Sequence, residues 1–282
     1  MAKKLIINAD DFGISPRVNE AVERAHSQGV LTSATIMTNM DGFPEAVAVA
    51  KRLPRLGVGV HLNLFSGRAV SQDKRVGPLL HKDGSFRYSL QTLAFLSVFS
   101  HSVRTAIKIE LAAQIQRLID TGLHPTHLDS HKHIHFFPAV YPIVCSLARR
   151  FKISAVRYCF EPAALGDSPW PLSTPEARRG AGQLRMMARF NRAYDDELFR
   201  TQLTYGLTHV GRINANFFRA VSIYMTAQTA ELMTHPAVED DPADAKKLFR
   251  LERKAELKAL CEERTRKCLQ DTGIELTHYG RL

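Results

Sequence analysis

The sequence predicts an α/β fold of successive β-α units, and three observations predict it. Short apolar runs at 5–7, 34–38 and 57–64 have strand length, and the first two lead into stretches with helical spacing of apolar residues. Polar, chemistry-bearing residues stand where these runs end, with Asn8 to Asp11 after the first and His61 in the third. Finally, 282 residues with 45% hydrophobic and 23% charged content can bury a sizeable core, as one large domain or two small ones.

In chain order, Leu5-Ile6-Ile7 reads as a buried strand delivering Asp10 and Asp11 into a loop. Ser15-Pro16 then starts a helix over about 17–28, with Val18, Ala21, Val22 and Ala25 on one stripe and Gly29 at its end. A strand at 34–38, a helix at 43–53 stopped by Pro54, and a strand at 57–64 continue the rhythm. Residues 66–101 break it. Turns marked by Gly67, Gly77, Pro78 and Gly84 precede Phe86, Tyr88, Leu93, Phe95, Leu96 and Phe99, an insertion readable as a lid or as a cover for the fold. Residues 103–120 form an amphipathic helix through Ile107, Leu111, Ile115, Leu118 and Ile119. A helix at 138–150 and a strand at 154–158 follow the histidine-rich stretch described below. From Glu161 to about Arg200 the pattern weakens, and Pro162, Pro169, Pro171 and Pro175 with Gly166, Gly180 and Gly182 suggest loops. Order returns at 207–210, then a helix is expected at 227–232, a long charged helix at 244–272 and a closing strand at 274–278.

Thr126–Pro138, THLDSHKHIHFFP, carries the most chemistry. On extended backbone side chains alternate, so His127, Asp129, His131, His133 and His135 would share one face. Imidazole and carboxylate together are ligands for a divalent transition metal. A solvated loop explains any one of these histidines better than it explains all of them. Asp10, Asp11, His61, this cluster and His235 all stand at expected strand ends, and loops after successive strands converge in β/α barrels and at the carboxyl edge of open sheets. One carboxylate and two imidazoles with open positions form a hydrolytic arrangement, with a second carboxylate as base and a remote histidine as acid.

Composition narrows the partners. A net charge of +10 comes from scattered Lys and Arg without an aromatic-and-basic stacking motif, so a nucleic-acid partner is not expected. Cys145, Cys159, Cys261 and Cys268 form no CxxC pair and read as reduced thiols. The apolar stretch after MAKK is too short for a signal sequence, and the longest apolar segment, Leu90–Val103, is interrupted by polar residues. A cytoplasmic protein is the expectation.

The stretches NADDFG at 8–13, GVHLNL at 59–64, THLDSHKHIHFFP at 126–138 and THPA at 234–237 resemble, in the same order, the YdjC-like carbohydrate deacetylases. That group includes chitooligosaccharide deacetylases and relatives in hopanoid biosynthesis. The resemblance runs over nearly the whole chain, is most specific at 126–138 and weakest at 161–205. It implies one domain over 1–282, a deformed β/α barrel with a metal site at the C-terminal ends of the strands, and hydrolytic removal of acetyl from an N-acetylated amino sugar. It implies one divalent metal (magnesium or zinc, with cobalt or nickel also fitting) held by Asp11, His61 and His131. Asp10 would be the base and His235 the acid. The order of Asp10 and Asp11 follows the related polysaccharide deacetylases, and Thr234 stands where the family usually carries cysteine. His127, Asp129 and His133 would orient the ligands, and Arg157 would bind substrate oxygens or form an ion pair. A homodimer is a family-level expectation.

Other readings predict different features. A lipid-linked amino sugar would suit the apolar 86–99 segment and the basic charge, at an anionic membrane surface. A non-catalytic sugar- or metal-binding module predicts a missing ligand or base, yet all five candidate positions carry competent residues. A phosphodiesterase predicts a second metal, for which Asp10, Asp129 and His133 are candidates.

Overall fold

The computed structural model describes residues 2–161, 175–194, 198–240 and 252–282. Its sheet is built on β1 (Lys4–Phe12), buried on both faces as expected of a strand in a parallel sheet covered by helices. Leu5, Ile7 and Ala9 belong to the large apolar core under the helices, whereas Ile6 packs with Ala155 and Tyr279 in a separate apolar cluster. Asn8 and Asp10 share the parity of Ile6. The two faces of one strand thus serve an apolar exterior and a progressively polar interior.

Strands β2 (Ser33–Ile36), β3 (Gly57–Leu62), β4 (Leu128–Ser130), β5 (Leu203–Tyr205), β6 (Thr229–Thr234) and β7 (Glu275–Thr277) complete a parallel sheet. Its order is β4-β3-β2-β1-β6-β5, and β7 pairs with Lys4–Ile6 of β1 below the point where β2 begins. Residues 155–160 join the two edges. Leu128 N–H donates to Ala155 O and Arg157 N–H to Leu128 O on one side, while Val156 N–H donates to Phe199 O and Thr204 N–H to Phe160 O on the other. The curved sheet closes through this irregular stave, a deformed β/α barrel.

Helices α1 (Pro16–Gln28), α2 (Phe43–Arg52), α3 (Leu90–Phe99), α4 (His101–Ile119), α5 (Tyr141–Arg150), α6 (Pro175–Asn191), α7 (Ala215–Tyr224), α8 (Arg253–Cys261) and α9 (Glu263–Asp271) account for the described helical segments. α1, α2 and α4 match their expected ranges closely: Pro stands in the first turn of α1 and α2, and the Ser100 hydroxyl accepts the Val103 N–H at the start of α4. The 66–101 stretch holds a 3-10 turn at Lys74–Leu79 and then α3. Its backbone is tied to α4 by Glu110, whose carboxylate accepts the N–H groups of Val70 and Ser71.

Several sequence expectations are corrected. Residues 227–232 are expected to be helical from Ala, Gln, Glu and Leu, yet 229–232 fall in β6, where pairing with β1 from Lys4 to Ala9 overrides local preference. The expected long helix at 244–272 divides into α8 and α9 at Glu262, whose backbone is extended; positions 244–251 lie outside the described residues. Order at 207–210 is a turn, with the strand at β5 instead. The expected loops at 161–200 include the helix α6, while Pro162, Gly166, Pro169 and Pro171 lie outside the described residues.

Candidate metal centre

Two adjacent carboxylates reach one site because β1 does not stay regular. Its register against β2 shifts between Ala9 and Phe12, and Asp11 adopts φ of 62°. Aspartate tolerates this left-handed conformation better than most residues. The bulge re-aims Asp11, which regular alternation would send to the face opposite Asp10.

The histidine-rich stretch is bent for a comparable reason. Only Leu128–Ser130 is a strand; a 3-10 turn follows over His131–Phe136, with Lys132 at φ 56° and His133 at φ 54°. The expected single face of five groups therefore does not exist. His127 keeps the face of Asp129 but lies deeper in the barrel, its ring stacked on Tyr279 with centroids 4.1 Å apart and its Nδ1 2.9 Å from the Thr126 hydroxyl. Gly59 makes room for it, since a Cβ there would lie 2.5 Å from its Cε1. His135 is buried against the Ser130 hydroxyl and the Arg157 carbonyl. The left-handed pair ends the alternation after His131, which follows β4 directly and reaches Asp11.

Asp11, His61 and His131 meet there, each with a ligand atom within 4.8 Å of the others. His131 Nδ1 is 3.0 Å, and His61 Nε2 3.5 Å, from Asp11 Oδ1. The other nitrogen of His61 is fixed: Nδ1 lies 2.8 Å from Asp129 Oδ1. Asp129 also accepts a hydrogen bond from the Thr35 hydroxyl. A carboxylate that pins one imidazole nitrogen and leaves the other facing a second carboxylate is the usual support of a metal ligand. Burial works against a charged His61, but Asp129 and Asp11 outweigh it and push its pKa up to about 10. The same carboxylates that favour a proton on His61 would favour a cation beside it.

Asp10, His61 and Asp129 form a second acidic group, but its positive charge is built into the chain. Arg157, fully buried, donates from Nη1 and Nη2 to the two oxygens of Asp10 at 2.7 and 2.6 Å. It also pairs with Asp129 at 2.8 Å and Glu231 at 2.6 Å, and Glu231 accepts the Tyr279 hydroxyl. Burial opposes the charge on Asp10, yet Arg157 holds its carboxyl below the ordinary range. Of the two roles expected for Arg157, the ion pair is the one formed.

His235 follows β6 at the same end of the barrel. Its backbone N–H donates to Glu256 of α8, and its Nδ1 is buried without a hydrogen-bond partner among the described residues. Burial lowers its pKa to about 4, opposed by the charges of Asp10 and Asp11. His133 likewise has a buried Nδ1 without a partner.

Three contributors escaped sequence reasoning. Arg253, at the start of α8, donates to Asp11 Oδ2 at 2.7 Å. Glu256 holds the N–H groups of His235 and Gly211, and burial raises its pKa to about 7. Glu231 sits beneath Arg157. Arg253 and Glu256 lay in a stretch dense with charges, where neither stands out; an acid inside an apolar β6 was the one available signal, for Glu231.

The donor set fits a divalent ion on three counts: two imidazole nitrogens and a carboxylate oxygen converge, an outer carboxylate orients one imidazole, and acids outnumber guanidinium groups. Asp10, Asp11, Asp129 and Glu231 are faced by Arg157 and Arg253.

The chain matches the family described as YdjC-like protein over residues 4–271. It is 37% identical over 279 residues to a carbohydrate deacetylase of Brevibacillus brevis, covering 99% of each chain. It is 29% identical over 285 residues to a chitooligosaccharide deacetylase of Proteus mirabilis, covering 100% of each. A solved structure from Enterococcus faecalis V583, described as a cellobiose-phosphate cleavage protein, shares the fold with a TM-score of 0.77 and 24% identity, over 100% of this chain and 99% of that one. The family match over nearly the full length, on the residues that build the centre, makes this chain a member of the YdjC-like family.

Proposed function

We propose that the protein is a divalent-metal-dependent deacetylase that hydrolyses the N-acetyl group of an amino sugar, releasing acetate and the free amine. Membership of a family whose full-length relatives are named carbohydrate deacetylase supports hydrolysis of a carbon–nitrogen bond. The observation that carries the reading is the convergence of Asp11, His61 and His131, with the other nitrogen of His61 locked on Asp129.

Asp11, His61 and His131 would hold the ion. Bound there, a divalent metal lowers the pKa of water and polarises the amide carbonyl. Asp10 takes the proton from the attacking water; Arg157 keeps it ionised, and so in the basic form, at neutral pH. His235 gives a proton to the departing amine. It must be charged to do so, and Asp10 and Asp11 are the groups that draw a proton to it against the effect of burial. Two imidazoles and one carboxylate suit zinc, and magnesium, cobalt and nickel are the alternatives to compare.

The test is acetate release by metal-stripped protein before and after each metal is restored. The substrates are N-acetylglucosamine, di-N-acetylchitobiose and a lipid-linked N-acetylglucosaminide. Release that depends on added metal is expected with at least one substrate. Failure of every pair, with the metal demonstrably bound, overturns the reading.

A further inference from the structure

The mouth of the barrel is flanked by two helices whose outward faces are greasy. On α3, Phe95, Val98 and Phe99 are 62%, 55% and 72% exposed, whereas Leu93 and Ser97 are the buried positions. The helix thus turns a small polar side chain inward and two aromatics outward, the reverse of a solvated surface helix. Phe95 and Phe99 lie one turn apart with ring centroids at 4.7 Å, forming a continuous apolar ridge. On α6, Ala181 and Ala188 face the protein while Met186 and Phe190, again one turn apart, are 55% and 61% exposed. Contiguous exposed apolar surface of this kind marks an interaction site.

Both helices are on the side of the proposed centre. α3 belongs to the segment that leaves the C-terminal end of β3, directly after His61, and α6 follows the stave at 155–160 that carries Arg157. Both pack against the 131–136 turn that carries His131.

Charge selects the occupant. Between 175 and 192 the chain carries Arg178, Arg179, Arg185, Arg189 and Arg192 against the single acid Glu176. Arg178 and Arg189 are exposed beside Met186 and Phe190 on the same helix. A second copy of a chain with net charge +10 would bring like charges together at this patch. An anionic bilayer offers the reverse: acyl chains for Phe and Met, and phosphate headgroups for arginines that extend past them. We infer that the α3 and α6 ridges dock the protein on an anionic lipid surface, with the mouth of the barrel toward the membrane. No described helix is long and apolar enough to cross a membrane, so the attachment is peripheral. The inference does not rest on the deacetylation reading, and its test reads binding alone.

The experiment is co-sedimentation of the full chain with vesicles of phosphatidylcholine containing phosphatidylglycerol, compared with phosphatidylcholine alone, at low and high salt. Wild-type protein should pellet with the anionic vesicles and be released by salt. Phe95→Ser with Phe99→Ser should lower the partition at least ~5-fold, since burial of two aromatic rings is removed. Arg178→Gln with Arg189→Gln, an independent pair, should lower it by ~10-fold or more while weakening the salt dependence. Circular dichroism should show both variants folded. Absence of wild-type binding, or equal binding by both variants, overturns the inference. So does a concentration-dependent dimer in sedimentation velocity that the Phe variants abolish while vesicles stay unbound.

Discussion

Two clusters of acids and histidines lie side by side at the top of this barrel, and their difference is in where the positive charge comes from. In the inner cluster Arg157 supplies it to Asp10, Asp129 and Glu231 through a side chain that is itself fully buried. In the outer cluster Asp11 meets Arg253 on one oxygen only, and its other oxygen faces His131 and His61. Residue types alone do not distinguish the two. Compensation by the chain leaves the first with no need of an ion and keeps Asp10 ionised; incomplete compensation makes the second a place for an ion.

The comparison breaks most visibly at Arg157. Arg157→Met should destabilise the protein by about 3–5 kcal/mol, because three buried carboxylates lose their partner. Thermal unfolding with and without metal measures it, and a change under ~1 kcal/mol would mean that the inner cluster is not held by charge. At the outer cluster the effect should fall on binding. His131→Ala should weaken metal affinity by more than the ~10–100-fold typical of losing an outer partner, abolish turnover, and leave the metal-free melting temperature nearly unchanged. Calorimetric titration reads the affinity directly; retained activity would remove His131 from the ligand set. His235→Ala sharpens the contrast by separating binding from chemistry, with metal affinity kept and kcat reduced ~10²–10⁴-fold.

The smallest effect concerns pH. Burial lowers the pKa of His127 to about 3 and of His135 to about 4. Both folded values lie below the unfolded one, so their contribution is fully present above about pH 6.5 and is lost as pH falls toward 4 and 3. At pH 5 each should have cost roughly 2 kcal/mol. His61, with its raised value, contributes fully below 6.5 and loses its share only as pH rises toward about 10, so it does not cancel this loss. Urea unfolding at pH 7 and pH 5 should show the difference, and His127→Phe, which removes one of four buried imidazoles lowered in this way, should reduce it. Glu256, raised to about 7, works in the opposite direction over the same window.

Much of this was legible in the sequence because several levels agreed. The apolar run before Asn8, the helix at 17–28 with Pro16 at its start, and the alternation through His61 all point one way, and the structure follows them. The motifs at 8–13, 59–64 and 126–138 also come together in space. What could not be read was the bending. Lys132 and His133 adopt left-handed backbone that their identities do not announce, and it stops the alternation after His131 instead of letting it run on to His135. β6 was equally opaque: Ala-Glu-Leu-Met has helical preference, and only its partner strand, more than two hundred residues earlier, makes it extended. Arg253 was hidden among neighbours of the same charge. Sequence patterns reported which groups were present; tertiary pairing decided which of them faced each other.

The pairing of β1 has a consequence for how the protein is made. Lys4 to Ala9 leave the ribosome more than two hundred residues before Thr229–Thr234 and Glu275–Thr277, yet they hydrogen-bond to both. Contacts that distant in sequence form slowly, because the intervening chain must be ordered first. The strand carrying Asp10 and Asp11 therefore waits for residues as far on as Thr277. A nascent or C-terminally truncated chain would have its two aspartates on an unfinished edge, without His235 and without Arg253. Such a chain would be open to chaperones and proteases and would lack a complete site until residues 229–277 have been made.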